Sequence, residues 1–116
     1  MTLTGGFWKQ YQQLIREKTM PYQWEVLNDR AEGVEKSGAL ENFKIAAGES
    51  KQRYYGTCFQ DSDVGKWLEC VAYLLASQPD AEWETRADDV IALLGRAQQN
   101  DGYLNTYFTV AEPGNR

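Results

Sequence analysis

"DSDVGKWLECVAYLLASQPDAEWETRADDVIALLGRA", residues 61–97, decides the fold. Val64, Trp67, Leu68, Val71, Ala72 and Leu75 recur at i, i+3, i+4, i+7, i+8 and i+11, the spacing of a helix with one apolar face. Trp83, Ala87, Val90, Ile91, Leu94 and Ala97 repeat that pattern after a break. The break, "SQPDAE", stops one helix and starts the next, with Pro79 where helices often begin. So short a link predicts an antiparallel helical hairpin. In front of it, "QDSD" supplies Asp61 and Asp63 as capping groups, with acidic charge favoured by the helix dipole. Gly65, inside the first turn, costs up to about 1 kcal/mol against alanine in a helix interior.

Upstream, Phe7, Tyr11, Leu14 and Ile15 keep helical spacing until Pro21, which lacks an N–H and is expected to kink or restart the helix. A second stretch, Tyr22 to about Ala31, carries Trp24 and Leu27 on one face. Residues 32–60 are weakly patterned and read as a long connection holding one short helix around Leu40–Ala47. Downstream, Asn100-Asp101-Gly102 is a turn signal. "YLNTYFTV" then alternates and is rich in Tyr, Phe, Thr and Val, which predicts a short extended arm.

Size and charge narrow the function. A chain of 116 residues suffices for one domain with a real core. Its 42% apolar and 25% charged content reads as globular. The net charge is −5 and the basic residues are scattered, so no nucleic-acid partner is expected. No apolar run reaches the roughly 20 residues of a membrane span, and no secretory leader is legible at the start. The cytoplasm is the default expectation for its location. There is no histidine, which removes the commonest general base and metal ligand. Cys58 and Cys70 form neither a zinc motif nor a disulfide framework. Cys70, within an apolar helical pattern, is expected to be buried.

Two clusters could carry chemistry. Asp61 and Asp63 flank Ser62, which suits either acid/base work and sugar hydroxyl binding or plain capping. Gln99, Asp101 and Tyr103, with Asn105 and Tyr107 nearby, suit either a helix C-terminal turn or an aromatic platform for a sugar. Trp67 and Trp83, at helical spacing, are expected in the core.

"GGFWKQYQQLI", "GTCFQDSDVGKWLECVAYLLA" and "AQQNDGYLNTYFT" occur in an order that resembles the β-L-arabinofuranosidase family, glycoside hydrolase family 127. The last block, taken loosely, is also similar to other sugar-active (α/α)6-barrel enzymes. The resemblance implies an all-α fold, part of an (α/α)6 toroid built from helical hairpins. It implies retaining hydrolysis of terminal β-L-arabinofuranosides, with a zinc-bound cysteine as nucleophile and a glutamate as acid/base. Zinc makes sense of a thiolate nucleophile because it lowers the thiol pKa. Those catalytic and zinc-binding residues lie beyond position 116 in the family. None is assigned here, and zinc is expected only in a full-length protein.

Residues 1–116 are thus expected to be an N-terminal segment of such a catalytic domain, inactive alone. Asp61, Ser62, Asp63, Gln99, Asp101 and Tyr103 are the expected substrate-binding residues. A carbohydrate is the expected partner, and uncovered apolar helix faces are expected to promote self-association. Two other readings remain: a segment of an unsaturated glucuronyl hydrolase or sugar epimerase, and a non-catalytic helical interaction module.

Overall fold

A helix in three successive parts opens the chain. In the computed structural model, which describes residues 3–116, Gly6–Leu14 (α1) passes through a wide π turn at Ile15–Thr19 into Met20–Leu27 (α2). Pro21 is the second residue of α2, directly after the π turn, in keeping with the expected restart there. Thr19 and Met20 keep helical dihedrals, and the N–H of Met20 reaches the carbonyl of Ile15, one residue further back than in an α-helix. A π turn directly before proline gives the carbonyls that lose its N–H a different geometry.

α2 ends at Leu27, four residues before the expected limit. Asp29 enters the left-handed region at φ 58°, which ends the helix, and its carboxylate accepts from the N–H groups of Ser37 and Gly38 at 2.7 and 3.0 Å. The intervening loop is thereby closed on itself. Ala39–Ala46 (α3) follows, one residue from its expected place. Gly38 before it has φ 68°, and a Cβ there would lie 3.1 Å from the Cβ of Tyr55, so glycine is required on both counts.

Asn42 of α3 is buried and brackets Tyr55, donating to its carbonyl at 2.7 Å and accepting from its N–H at 3.1 Å. This pins the connection between α3 and Asp61–Ser77 (α4). Ala81–Ala97 (α5) completes the expected hairpin. Asp80 caps α5, accepting from the N–H groups of Glu82 and Trp83 at 3.1 and 3.3 Å.

The core is one cluster drawn from α2 to α5. Trp67 sits at its centre, stacked on Trp24 at 4.8 Å between centroids and tilted against Trp83 at 6.3 Å. The Arg86 guanidinium lies 4.7 Å over Trp83 and 5.5 Å over Trp24. Trp67 and Trp83 are thus core residues, as their spacing predicts.

Two expected face positions are exposed. Ala72 and Ile91 are exposed, while Leu74 and Leu93 take the buried places. Cys70 is exposed as well, against the expectation of burial. It falls on the edge of the α4 stripe defined by Val64, Trp67 and Val71, where it borders open clefts against α1 and α2.

The C-terminal arm lacks regular secondary structure only through residues 103–105 and forms no strand. From Thr106 the chain turns helical, with a π turn at Tyr107–Ala111 and a 3-10 turn at Pro113–Asn115. Asn105 explains the change. Its side chain accepts from the N–H of Phe108 at 3.0 Å, a local cap that overrides the strand propensity of "YFTV". Among the described residues no helix is long and apolar enough to cross a membrane.

Candidate functional site

The first turn of α4 and the C-terminal arm meet. Asp61 is half-buried there and does not cap its own helix. Its two oxygens accept from Thr106, at 2.7 Å from the backbone N–H and 2.5 Å from the hydroxyl. Thr106 is fully buried, so this clamp satisfies two polar groups that water cannot reach. Burial pushes the Asp61 carboxyl above its ordinary value, and the two bonds from Thr106 oppose that rise.

Asn105 continues the junction by donating to the carbonyl of Cys58 at 3.1 Å. Tyr54 packs edge-on against Tyr107 at 5.4 Å, and Tyr107 against Phe108 at 5.0 Å. Burial raises the Tyr54 phenol above its usual range, and the nearby Asp61 charge adds to that rise. The Tyr107 hydroxyl donates to Glu112, which raises the phenol and lowers the carboxyl.

Beside this clamp lies an open cleft. Phe43, Val64, Leu94 and Leu104 form an apolar floor, with Asp61, Ser62 and Asn105 at its rim. The structure therefore brings Asp61 and Ser62 together with Asn105. Asp63 points into a different cleft, between α2 and α4, with Gln23, Lys66 and Trp67.

Gln99, Asp101 and Tyr103 form a separate, internally satisfied turn after α5. The Gln99 N–H donates to the Tyr103 carbonyl at 2.8 Å, and its side chain donates to Ala97 O at 2.9 Å. Asp101 accepts from the Tyr103 N–H at 3.1 Å and pairs with Arg116, and both bonds lower its pKa. The Arg116 guanidinium lies 4.2 Å over the Tyr103 ring. This turn adjoins the cleft through Leu104.

Thr106 carries no local signal of its role, because its partner is 45 residues away. Asn105, expected beside Tyr103 and Tyr107 in a sugar platform, instead caps the turn that follows it.

Zinc finds no fit here. Cys58 and Cys70 are both exposed and free, and among the described residues no three His, Cys, Asp or Glu side chains gather.

The matches to known proteins agree with one another. A family model described as "Beta-L-arabinofuranosidase, GH127 catalytic domain" matches residues 1–116. A non-reducing end β-L-arabinofuranosidase from Bifidobacterium longum subsp. longum is 43% identical over 122 residues, covering 95% of this chain and 18% of that protein. The crystal structure of a GH127 β-L-arabinofuranosidase from Geobacillus stearothermophilus T6 superposes with a TM-score of 0.96 at 62% identity, over 98% of this chain and 18% of that one. A GH127 β-arabinofuranosidase structure superposes at 0.78 and 34% identity, over 92% of this chain and 16% of that one. The chain thus spans less than a fifth of the length of these relatives.

Proposed function

The chain belongs to the β-L-arabinofuranosidase family, glycoside hydrolase family 127, and on that premise we propose that residues 1–116 form the N-terminal segment of a retaining β-L-arabinofuranosidase catalytic domain. The single observation that carries this reading is the match of the whole chain to a catalytic-domain model, joined to a fold shared at 62% identity with a solved family member. Neither a glucuronyl hydrolase or epimerase segment nor a non-catalytic module is favoured by any of these matches.

In this reading the segment supplies one wall of the sugar cleft and no catalytic group. Ser62 and Asn105, at the rim of the cleft, meet sugar hydroxyls, while Phe43 and Leu104 beneath them meet the apolar face of the ring. Asp61 holds the rim in place, because both of its oxygens are engaged by Thr106. Gln99, Asp101 and Tyr103 form a shoulder next to it. Asp63 contributes from the neighbouring cleft only if the sugar extends past α4. The nucleophilic thiolate, the acid/base glutamate and the zinc that activates the thiolate belong to other parts of the domain.

The site assignment is tested by titrating methyl β-L-arabinofuranoside into the isotope-labelled chain and following amide shifts by NMR. Shifts are expected at Ser62, Gly65 and Asn105 and not at Asp63. Shifts confined to the α2–α4 cleft, or none at any concentration, overturn the placement.

A further inference from the structure

Gly65 stands where the chain's own architecture does not call for glycine. It lies within the regular helix α4, and its φ is outside the left-handed region. A Cβ at Gly65 would meet no atom within 4 Å, so no neighbour presses on the backbone either. Gly38, by contrast, is held to glycine both by its φ and by Tyr55. A glycine inside a helix weakens it, through chain entropy and an uncovered backbone. Nothing in the packing of this chain offsets that loss at Gly65.

What Gly65 does line is the candidate sugar cleft, a space of about 310 Å³ shared with Phe43, Ser62, Leu104 and Asn105. It follows Asp61 by four residues and Ser62 by three, so the three positions share one face of α4. Helical Cα–Cβ bonds tilt toward the N-terminus, and a side chain covers the turn before its own Cα. Any side chain at position 65 would therefore lean over Asp61 and Ser62 and occupy the space beside the rim. Gly95 of α5 is the useful contrast. It too is helical and exposed, and a Cβ there would also meet nothing within 4 Å, yet it does not line this cleft.

We propose that Gly65 sets the size of ligand the cleft admits: its missing side chain leaves room for a pentofuranoside ring against the first turns of α4, with ring hydroxyls at Ser62 and Asn105. The ring gains from the floor of Phe43 and Leu104 only at close contact. A methyl group that lifts it by about 1 Å forfeits up to about half of each such contact. The inference rests on the reading of this cleft as a sugar site, and it adds the residue that makes the site selective.

The test is a matched pair of variants. Gly65→Ala and Gly95→Ala are each compared with the parent in thermal unfolding and in NMR titration with methyl β-L-arabinofuranoside. Both are expected to raise the unfolding midpoint, because alanine is the better helix former and meets no neighbour at either place. Only Gly65→Ala is expected to weaken the titration, by about tenfold, the effect of one surplus carbon in a fitted pocket. Gly65→Gln, longer and still a good helix former, is expected to abolish it.

A lower midpoint for Gly65→Ala means that the fold itself requires the glycine, and overturns the proposal. A raised midpoint with unchanged affinity also overturns it, and leaves the sugar site standing. Equal weakening by Gly95→Ala makes the effect indirect and overturns it as well. If the parent shows no shifts at Ser62 and Asn105, the sugar site and this inference fall together.

Discussion

Two groups of aromatic residues share α4 and its neighbours and meet opposite fates. Trp24, Trp67 and Trp83 stack inside the α2–α4–α5 cluster, and Trp67 and Trp83 are nearly fully buried. Phe7, Trp8, Tyr11 and Tyr73, on α1 and α4, keep about half or more of their surface in solvent. The residue types are alike and so is the helical spacing. What differs is whether this chain itself supplies the covering partner. Apolar periodicity shows that a face wants cover, and it does not say whose.

The sharpest way to break the comparison is to empty each side in turn. Trp67→Ala removes the centre of the buried stack and is expected to cost about 3–5 kcal/mol, read by urea unfolding. For a chain this small that abolishes cooperative folding. Trp8→Gln on the open side is expected to change stability by no more than about 0.5 kcal/mol. Equal losses at the two positions erase the distinction between the groups.

Between these extremes lie the polar junctions. Asp61→Ala leaves the N–H and hydroxyl of fully buried Thr106 without partners, and is expected to cost about 2 kcal/mol. The same variant is expected to shift amide signals at Asn105 and Phe108 by NMR, because the arm loses its anchor. Asp80→Ala removes the cap of α5 and is expected to cost about 1 kcal/mol by the same urea measurement.

Acid separates the two junction types. The lowered pKa values of Glu25, Glu49 and Asp101 add stability that is present above their unfolded values and lost as pH falls. Asp61 runs the other way. Its carboxyl is raised, so its contribution is fully present below the ordinary value of 3.8 and is lost as pH rises through the folded value. Protonation of Asp61 therefore offsets part of the acid loss in the parent chain. Asp61→Asn is expected to lose stability more steeply than the parent as pH falls from 7 toward 4, in parallel urea titrations. An identical slope means that the burial of Asp61 has no energetic consequence.

The hairpin was the most legible part of the fold. Val64, Trp67 and Val71, then Trp83, Ala87 and Val90, mark it by periodicity, and Asp80 caps it in place. α3 was legible to within a residue. Pro21 marked the place where α2 begins, while the π turn ahead of it left no signal in the letters. "YFTV" misled because strand propensity is weak beside a capping asparagine, and Asn105 stands directly before Thr106. Cys70 misled because a stripe edge is buried only when a neighbour arrives. At the candidate site the sequence pairs Asp61 with Asp63 around Ser62, whereas the structure keeps Asp61 and Ser62 together and sets Asp63 in another cleft. The link of Asp61 and Ser62 to Asn105 and Thr106 was not legible, since it joins residues more than forty positions apart that only the packing of α3, α4 and α5 brings together.

The most direct measurement is hydrolysis of p-nitrophenyl β-L-arabinofuranoside by the 116-residue chain with zinc and a reducing agent present. If the segment carries a cleft wall and no catalytic group, the chain alone shows no turnover above the zinc blank, and activity appears only when the remainder of the domain is supplied. Saturable turnover by the chain alone, lost in Cys58→Ser or Cys70→Ser, contradicts that division and puts the nucleophile among these residues.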